Sequence, residues 1–248
     1  MKIGIIGFGS IGSFLAKNLS KEILWVADIS PEARKRFKSA GLKCKFYSKI
    51  PAKCGGANLV VEAASQKAVP LLARCLHHSD VMMMSVGALA DERLQKQLVS
   101  VAMTNKRKIY LPSGAIGGMD AISSVGGKLE LLLLETTKPP ASLGRNDKAR
   151  TVVFEGSAGE ACRLYPQNVN VSATLSLAGI GFGRTVVRIV SDPAAKSNTH
   201  KIFARSAAGT MMLEFENLPS PENPKTSMLA ALSALRRIRK IDETLQIG

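Results

Sequence analysis

Apolar and polar positions along this chain follow two different rhythms. Residues 2–7 (KIGIIG) are apolar, rich in isoleucine and stopped by glycine, which predicts a short buried strand. Residues 11–19 then place Ile11, Phe14, Leu15 and Leu19 at helical spacing. A second strand over 23–27 ends at Asp28, and Ser30-Pro31-Glu32 opens a helix with a capping serine and a first-turn proline. Further strands are predicted at 59–61, 81–85 and 108–111, with helix-compatible stretches between them. Strand and helix taking turns in this way predict a parallel sheet with helices on both faces.

After about residue 126 the rhythm changes. Strand-like runs fall at 129–137, 150–155, 184–190, 199–205 and 210–216, and the short loops joining the last three predict an antiparallel meander. A helical stretch from Ser157 to about Ala178 interrupts them, broken in two by Pro166. Its start, Ser157-Ala158-Gly159-Glu160, is a capping box in which serine and glutamate satisfy free helix-end N–H groups. Residues 218–224, with three prolines, resemble a connector, and Asn223-Pro224 predicts the start of a last helix with Leu229, Leu232 and Leu235 on one face. The second region therefore reads as a mixed sheet backed by helices.

Composition narrows the class without naming a function. The 248 residues, 46% hydrophobic and 21% charged, suit one large or two modest globular domains. The apolar run at 131–134 is far too short to cross a bilayer, and the N-terminus reaches glycines before a signal-like stretch can form. No membrane partner and no targeting segment are expected. Cys44, Cys54, Cys75 and Cys162 are scattered, which points to reduced thiols in a cytoplasm, with neither a metal site nor a disulfide framework. The charge is less ordinary, with 34 Lys and Arg against 19 Asp and Glu, a net +15. Such a balance attracts either nucleic acid or anionic small molecules. The densest basic cluster, residues 236–240, closes a predicted helix and opposes its dipole. No stacking aromatics accompany it, so anionic small molecules are expected and nucleic acid is not.

The candidate chemistry begins at Gly7-Phe8-Gly9-Ser10-Ile11-Gly12, which matches G-x-G-x-x-G between a strand and a helix. Gly7 permits the tight turn, Gly9 lets the backbone approach a pyrophosphate, and Gly12 allows close helix–strand packing. The helix N-terminus at Ser10 and Ile11 stabilises the phosphate charge. Asp28, at the end of the next strand, would accept hydrogen bonds from the adenosine ribose and repel an extra 2′-phosphate, although basic residues within 34–38 could compensate. The cofactor expected is NAD or NADP. Glu62-Ala63-Ala64-Ser65 follows another strand at the same sheet edge, and the glycine-rich residues 113–118 follow the last strand of this half. Both segments are expected to line it.

Four later segments carry a family resemblance: Leu111-Pro112-Ser113-Gly114-Ala115-Ile116-Gly117-Gly118-Met119-Asp120; Phe154-Glu155-Gly156-Ser157-Ala158, running on to Tyr165-Pro166-Gln167-Asn168-Val169-Asn170-Val171; Ser197-Asn198-Thr199-His200; and Asn223-Pro224-Lys225-Thr226-Ser227. The chain resembles the L-aspartate dehydrogenase family over essentially its whole length. That resemblance implies an α/β fold: a Rossmann-type domain over 1–110, completed by a returning C-terminal helix within 223–248, and an inserted α+β catalytic and dimerisation domain over 111–222. It implies oxidation of L-aspartate to iminoaspartate with NAD or NADP, hydrolysis to oxaloacetate and ammonia or supply to NAD biosynthesis, and a cytoplasmic homodimer. By position, His200 matches the catalytic histidine, and Ala115 and Asn170 match cofactor contacts. The loop after Glu135 lacks one basic residue expected there, which leaves a substrate role for Lys138 open.

Judged by their own chemistry, these residues keep alternatives. His200 starts a predicted strand on the face of Ile202 and Ala204, where a histidine is either a satisfied core residue or a proton-transfer group. Asn170 is either a turn residue or an amide for the nicotinamide carboxamide. Lys225 and Thr226, read as first-turn helix residues, suit a substrate carboxylate, although capping explains the threonine equally well. Another amino-acid or semialdehyde oxidoreductase of the same plan, or a dinucleotide-sensing binding protein, would share the first domain. The sensor would lack an acid–base group in the second.

Overall fold

The computed structural model describes residues 1–166, 169–220 and 223–245, with 219, 220 and 223–226 described through their backbone alone. The chain divides into two units, Met1–Pro112 with the described residues from Ala231 to Leu245, and Ser113–Ala230.

The first unit runs β1 (Ile3–Ile6), α1 (Ser10–Asn18), β2 (Ile23–Ala27), α2 (Pro31–Ser39), β3 (Lys45–Tyr47), β4 (Leu59–Glu62), α3 (Leu72–Cys75), β5 (Asp80–Met83), α4 (Glu92–Thr104) and β6 (Ile109–Tyr110). Its strands form one parallel sheet in the order β3-β2-β1-β4-β5-β6, which reverses direction between β1 and β4. In an open sheet of this kind, ligands bind at that reversal, beyond the carboxyl ends of the strands. Burial of β1 and β4 on both faces explains their unbroken apolar runs. α2 starts as read, with Ser30 Oγ accepting the Ala33 N–H and Pro31 in the first turn. β3 escaped the sequence reading, being three residues long with no buried position.

The second unit runs α5 (Met119–Val125), β7 (Leu129–Lys138), β8 (Thr151–Ser157), α6 (Ala158–Leu164), α7 (Asn170–Ala178), β9 (Val186–Ser191), β10 (Asn198–Ser206), β11 (Gly209–Asn217), β12 (Pro219–Ser220) and β13 (Asn223–Ser227). The mixed sheet is ordered β11-β10-β7-β9-β8. The expected meander is therefore only half present. β10 and β11 form a hairpin, but β7 lies between β9 and β10, parallel to the former and antiparallel to the latter. One face of this sheet packs Leu132, Leu134, Ile202 and Ala204 against Ile122 of α5 and Leu175 of α7. The capping box at Ser157 forms as expected, with reciprocal bonds to Glu160.

The chain's end corrects two readings. Asn223–Ser227 is not a first helical turn but strand β13, paired with β12, and the last helix, α8, spans Met228–Lys240. Ser227 supplies the cap: its Oγ accepts the Leu229 N–H at 3.2 Å. Nor do Leu229, Leu232 and Leu235 share the buried face. Leu229 and Leu232 are exposed, while Ala231, Ala234, Leu235 and Ile238 are buried, and the last three join the core of the first unit with Ile3, Leu15 and Val26. Small alanines at the contact explain why the leucine pattern misled.

Candidate active site

At the carboxyl edge of the parallel sheet each fingerprint residue has a visible function. Gly7 sits at φ +95°, and a Cβ there would meet Ala63 O at 2.6 Å, so glycine alone fits both the backbone and the space. A Cβ on Gly12 would come within 2.0 Å of Gly7 O, which is the close helix–strand packing the motif requires. Gly9 is different. Nothing lies within 4 Å of where its Cβ would be, so the backbone there faces open space. Gly9 also caps α1 without a side chain, and the first turn, led by half-buried Ser10 and Ile11, holds no acidic residue. Open space before a helix N-terminus whose first turn carries no acidic residue fits a pyrophosphate.

Asp28 does more than await a ribose. Its Oδ2 accepts the Phe8 N–H at 2.7 Å and its Oδ1 the Ser30 N–H at 2.8 Å, so the carboxylate ties the glycine turn to the start of α2. Arg36 Nη2 donates to Phe8 O at 3.0 Å, which puts a guanidinium on the same turn. A carboxylate and a guanidinium thus meet at one backbone segment. Ala63 is half-buried, with its N–H on Ile6 O, and Ala64 is exposed.

Sequence reasoning missed what holds those alanines. Glu62 is fully buried, and its Oε1 accepts Ala64 N–H at 2.8 Å and Ser85 Oγ at 2.9 Å, while Oε2 accepts Ser85 N–H at 3.0 Å. Burial pushes its pKa above the ordinary carboxylate value, and these donors pull against that rise. One carboxylate therefore clamps the loops after β4 and β5 together. A glutamate closing an apolar strand was the available signal.

In the second unit β10 pairs with β7. His200 stands opposite Thr136, and both are buried. Thr136 Oγ1 lies 2.9 Å from His200 Nδ1. In the tautomer whose Nδ1–H donates to that oxygen, Nε2 carries the lone pair and can accept a proton. Burial first, and the nearby charge of Lys138 second, hold the imidazole down at about 3. Lys138 ends β7 on the same face, only 8% exposed, and burial lowers its ammonium to about 8.

Ala115 is buried, and its carbonyl accepts Asn217 Nδ2 at 2.9 Å, while Asn217 Oδ1 accepts Ser227 Oγ at 2.9 Å. One buried asparagine thus joins the glycine-rich segment, the end of β11 and the start of α8, a role not foreseen from the sequence. Asn170 opens α7 and is exposed, its carbonyl accepting Thr174 Oγ1. Lys225 and Thr226 lie on β13, so helix-end N–H groups do not explain a carboxylate site there, and their side chains fall outside the described residues, as do Gln167 and Asn168. Among the described residues no three His, Cys, Asp or Glu side chains converge as metal ligands, and no helix is long and apolar enough to cross a membrane.

Comparison with known proteins agrees with this geometry. Residues 7–112 match the family model for the homoserine dehydrogenase NAD binding domain, and residues 120–241 match that for aspartate dehydrogenase, C-terminal. The chain is 42% identical to an L-aspartate dehydrogenase of Methanosarcina acetivorans and 43% identical to one of Methanocaldococcus jannaschii. In each case the match covers 100% of this chain and 99% of the relative. Among solved structures, aspartate dehydrogenase from Thermotoga maritima superposes with a TM-score of 0.84 at 33% identity, over 100% of this chain and 99% of that one. A hyperthermophilic archaeal homoserine dehydrogenase solved with NADPH has a TM-score of 0.60 at 13% identity, over 96% of each chain, and shares the fold.

Proposed function

From the premise that the chain belongs to the L-aspartate dehydrogenase family, as full-length relatives above 40% identity show, we propose how its residues carry out that reaction. It is an NAD(P)-dependent oxidoreductase that converts L-aspartate to iminoaspartate. When bound, the oxidised nicotinamide cofactor would supply the acceptor for the hydride that leaves the substrate Cα. The open space at Gly9 and the uncapped start of α1 support pyrophosphate binding there, with Ser10 and Ile11 donating and Gly7 and Gly12 shaping the turn. Asp28 receives the ribose, Ala63 and Ala64 line the same edge, and Ala115 and Asn170 are carried forward as further cofactor contacts on the family resemblance.

His200 is the proton-transfer group. Its Nε2 takes the proton from the substrate ammonium, which frees the nitrogen lone pair to form the C=N bond as hydride leaves Cα. Once that proton has passed to solvent, Nε2 is again free to take one from the water that attacks the imine carbon, giving oxaloacetate and ammonia. The observation that carries this reading is the burial of His200 on the inner sheet face with Nδ1 held by Thr136. Assaying NADH and NADPH formation with L-aspartate against a panel of amino acids tests it. Turnover should be confined to aspartate, and equal turnover of a neutral amino acid would overturn the assignment.

The iminoaspartate supports a place in NAD biosynthesis, and such metabolism supports a cytoplasmic location. A homodimer is supported by the other face of the mixed sheet. There Leu131, Leu133 and Phe203 are half-buried and Met212 is 78% exposed among ion pairs such as Arg205–Glu130. Light scattering measures that state directly.

A further inference from the structure

β7 turns Leu132, Leu134, Thr136 and Lys138 to one buried face. The first two belong to the apolar core, with Ile202 and Ala204 of β10, and the row then becomes polar. Thr136 stands across from His200 on one side, and Lys138 across from buried Ser191 of β9 on the other. A hydrocarbon sheet face thus ends in a hydroxyl, an imidazole and an ammonium. Taking a lysine head out of water is costly, and lysines normally carry the charge to the surface along a flexible stem. Simple packing would be better served by leucine, as at positions 132 and 134. A cation held at the polar end of this face, within electrostatic reach of His200, is suited to an anion that binds beside the histidine.

We propose that Lys138 receives a carboxylate of the substrate and that this anion, by cancelling the lysine's charge, turns His200 into a base. The inference rests on the reading that L-aspartate is the substrate, and it assigns one of that molecule's two carboxylates. Before the substrate arrives, the Lys138 charge opposes protonation of the neighbouring ring. A carboxylate paired with the ammonium removes that opposition, so His200 gains proton affinity only when there is an ammonium proton to take.

Among the described residues, few other charges face this spot. Asp192, after β9, gives its N–H to Lys138 O while its carboxylate serves the Ala194 N–H and Arg150. Glu135 pairs with Arg150 and Arg188 on the opposite sheet face. Of the helices packed on the His200 face, α7 has no charged residue and α5 only exposed Asp120. Among the described residues, Lys138 is thus the cation whose charge acts on His200.

The test uses succinate, a dicarboxylate without the amine, and calorimetry on the purified enzyme with NAD present. Lys138→Met should weaken succinate binding and raise the KM for L-aspartate by about tenfold to a hundredfold, leaving NAD affinity unchanged. Lys138→Arg should restore part of both. The wild-type protein supplies an arm that needs no variant: succinate affinity should fall as pH rises through about 8, where the ammonium loses its proton. Succinate affinity unchanged by Lys138→Met, or flat in the wild type between pH 7 and 9.5, overturns the inference. An active wild type whose aspartate KM ignores Lys138 would retain the dehydrogenase reading and discard this one. An inactive wild type whose succinate affinity still needs Lys138 would do the reverse.

Discussion

The two units bury ionisable groups in opposite ways. In the first, Glu62 is sealed from water, but three hydrogen bonds answer its two oxygens, from Ala64 N–H, Ser85 N–H and Ser85 Oγ. In the second, the buried groups are Lys138 and His200, which would both be cationic if protonated, and both are driven toward their neutral forms. A buried charge answered by donors is a brace, fixing loops that must hold still. A buried pair whose charged states oppose each other is poised to change when an anion arrives. Burial alone does not separate scaffold from chemistry. The partners do.

The sharpest way to break this comparison is to remove the poised group. His200→Ala should cut turnover by about 10²- to 10⁴-fold while leaving NAD affinity and melting temperature nearly unchanged. Steady-state kinetics with calorimetry decides this. A folded variant with near-normal turnover would return His200 to the core, as a brace like Glu62.

Acid stability is the next test. The imidazole's folded value, about 3, lies below the ordinary 6.5, so the native state binds fewer protons between these limits. The stability that a neutral His200 confers is complete above pH 6.5 and is lost as pH falls toward 3, at up to about 1.4 kcal/mol per pH unit. Urea unfolding from pH 7 to pH 4 should show a shallower decline in His200→Gln than in the wild type. Parallel curves would mean the ring is hydrated.

Glu62→Gln should act on stability and cofactor affinity together, because an amide N–H₂ then confronts one of the N–H or O–H donors. A cost of about 1–3 kcal/mol is expected, read as a lower melting temperature and a raised NAD KM with kcat little changed. Unaltered melting would show that the two loops hold without the clamp. The smallest effect is expected at Asp28. Asp28→Ser removes a negative charge while Arg36 remains, so preference should move toward NADP by about tenfold. Michaelis constants unchanged for both cofactors would remove Asp28 from the ribose site.

Much of the first unit was legible because its signals are local. The run Ile3–Ile6 stopped by Gly7, the spacing of the three glycines, and Ser30-Pro31 each fix backbone within a few residues. β3 was not legible, since Lys45, Phe46 and Tyr47 form an edge strand too short and too exposed to show a pattern. In the second unit the strands were readable, but their order was not. Nothing near β9 announces that β7, some fifty residues earlier in the chain, will pair with it in place of β10.

The same distinction separates the site residues. By itself the sequence determined the glycine turn, Asp28 at a strand's end and the inward phase of His200. Each follows from spacing along one strand or turn, where geometry repeats every two or three to four residues. Only the tertiary structure decided that Lys138 is buried beside His200, that Glu62 clamps two loops and that Asn217 holds Ala115. Those facts depend on the register between strands and on contacts between segments 23 to 102 residues apart, such as Glu62 with Ser85 and Ala115 with Asn217. A lysine before two prolines looks like any loop entry until the assembled sheet, with Ser191 of β9 paired to it, excludes water from it. Burial and electrostatic environment belong to the assembled fold, because the groups that desolvate or charge a residue come from distant parts of the chain.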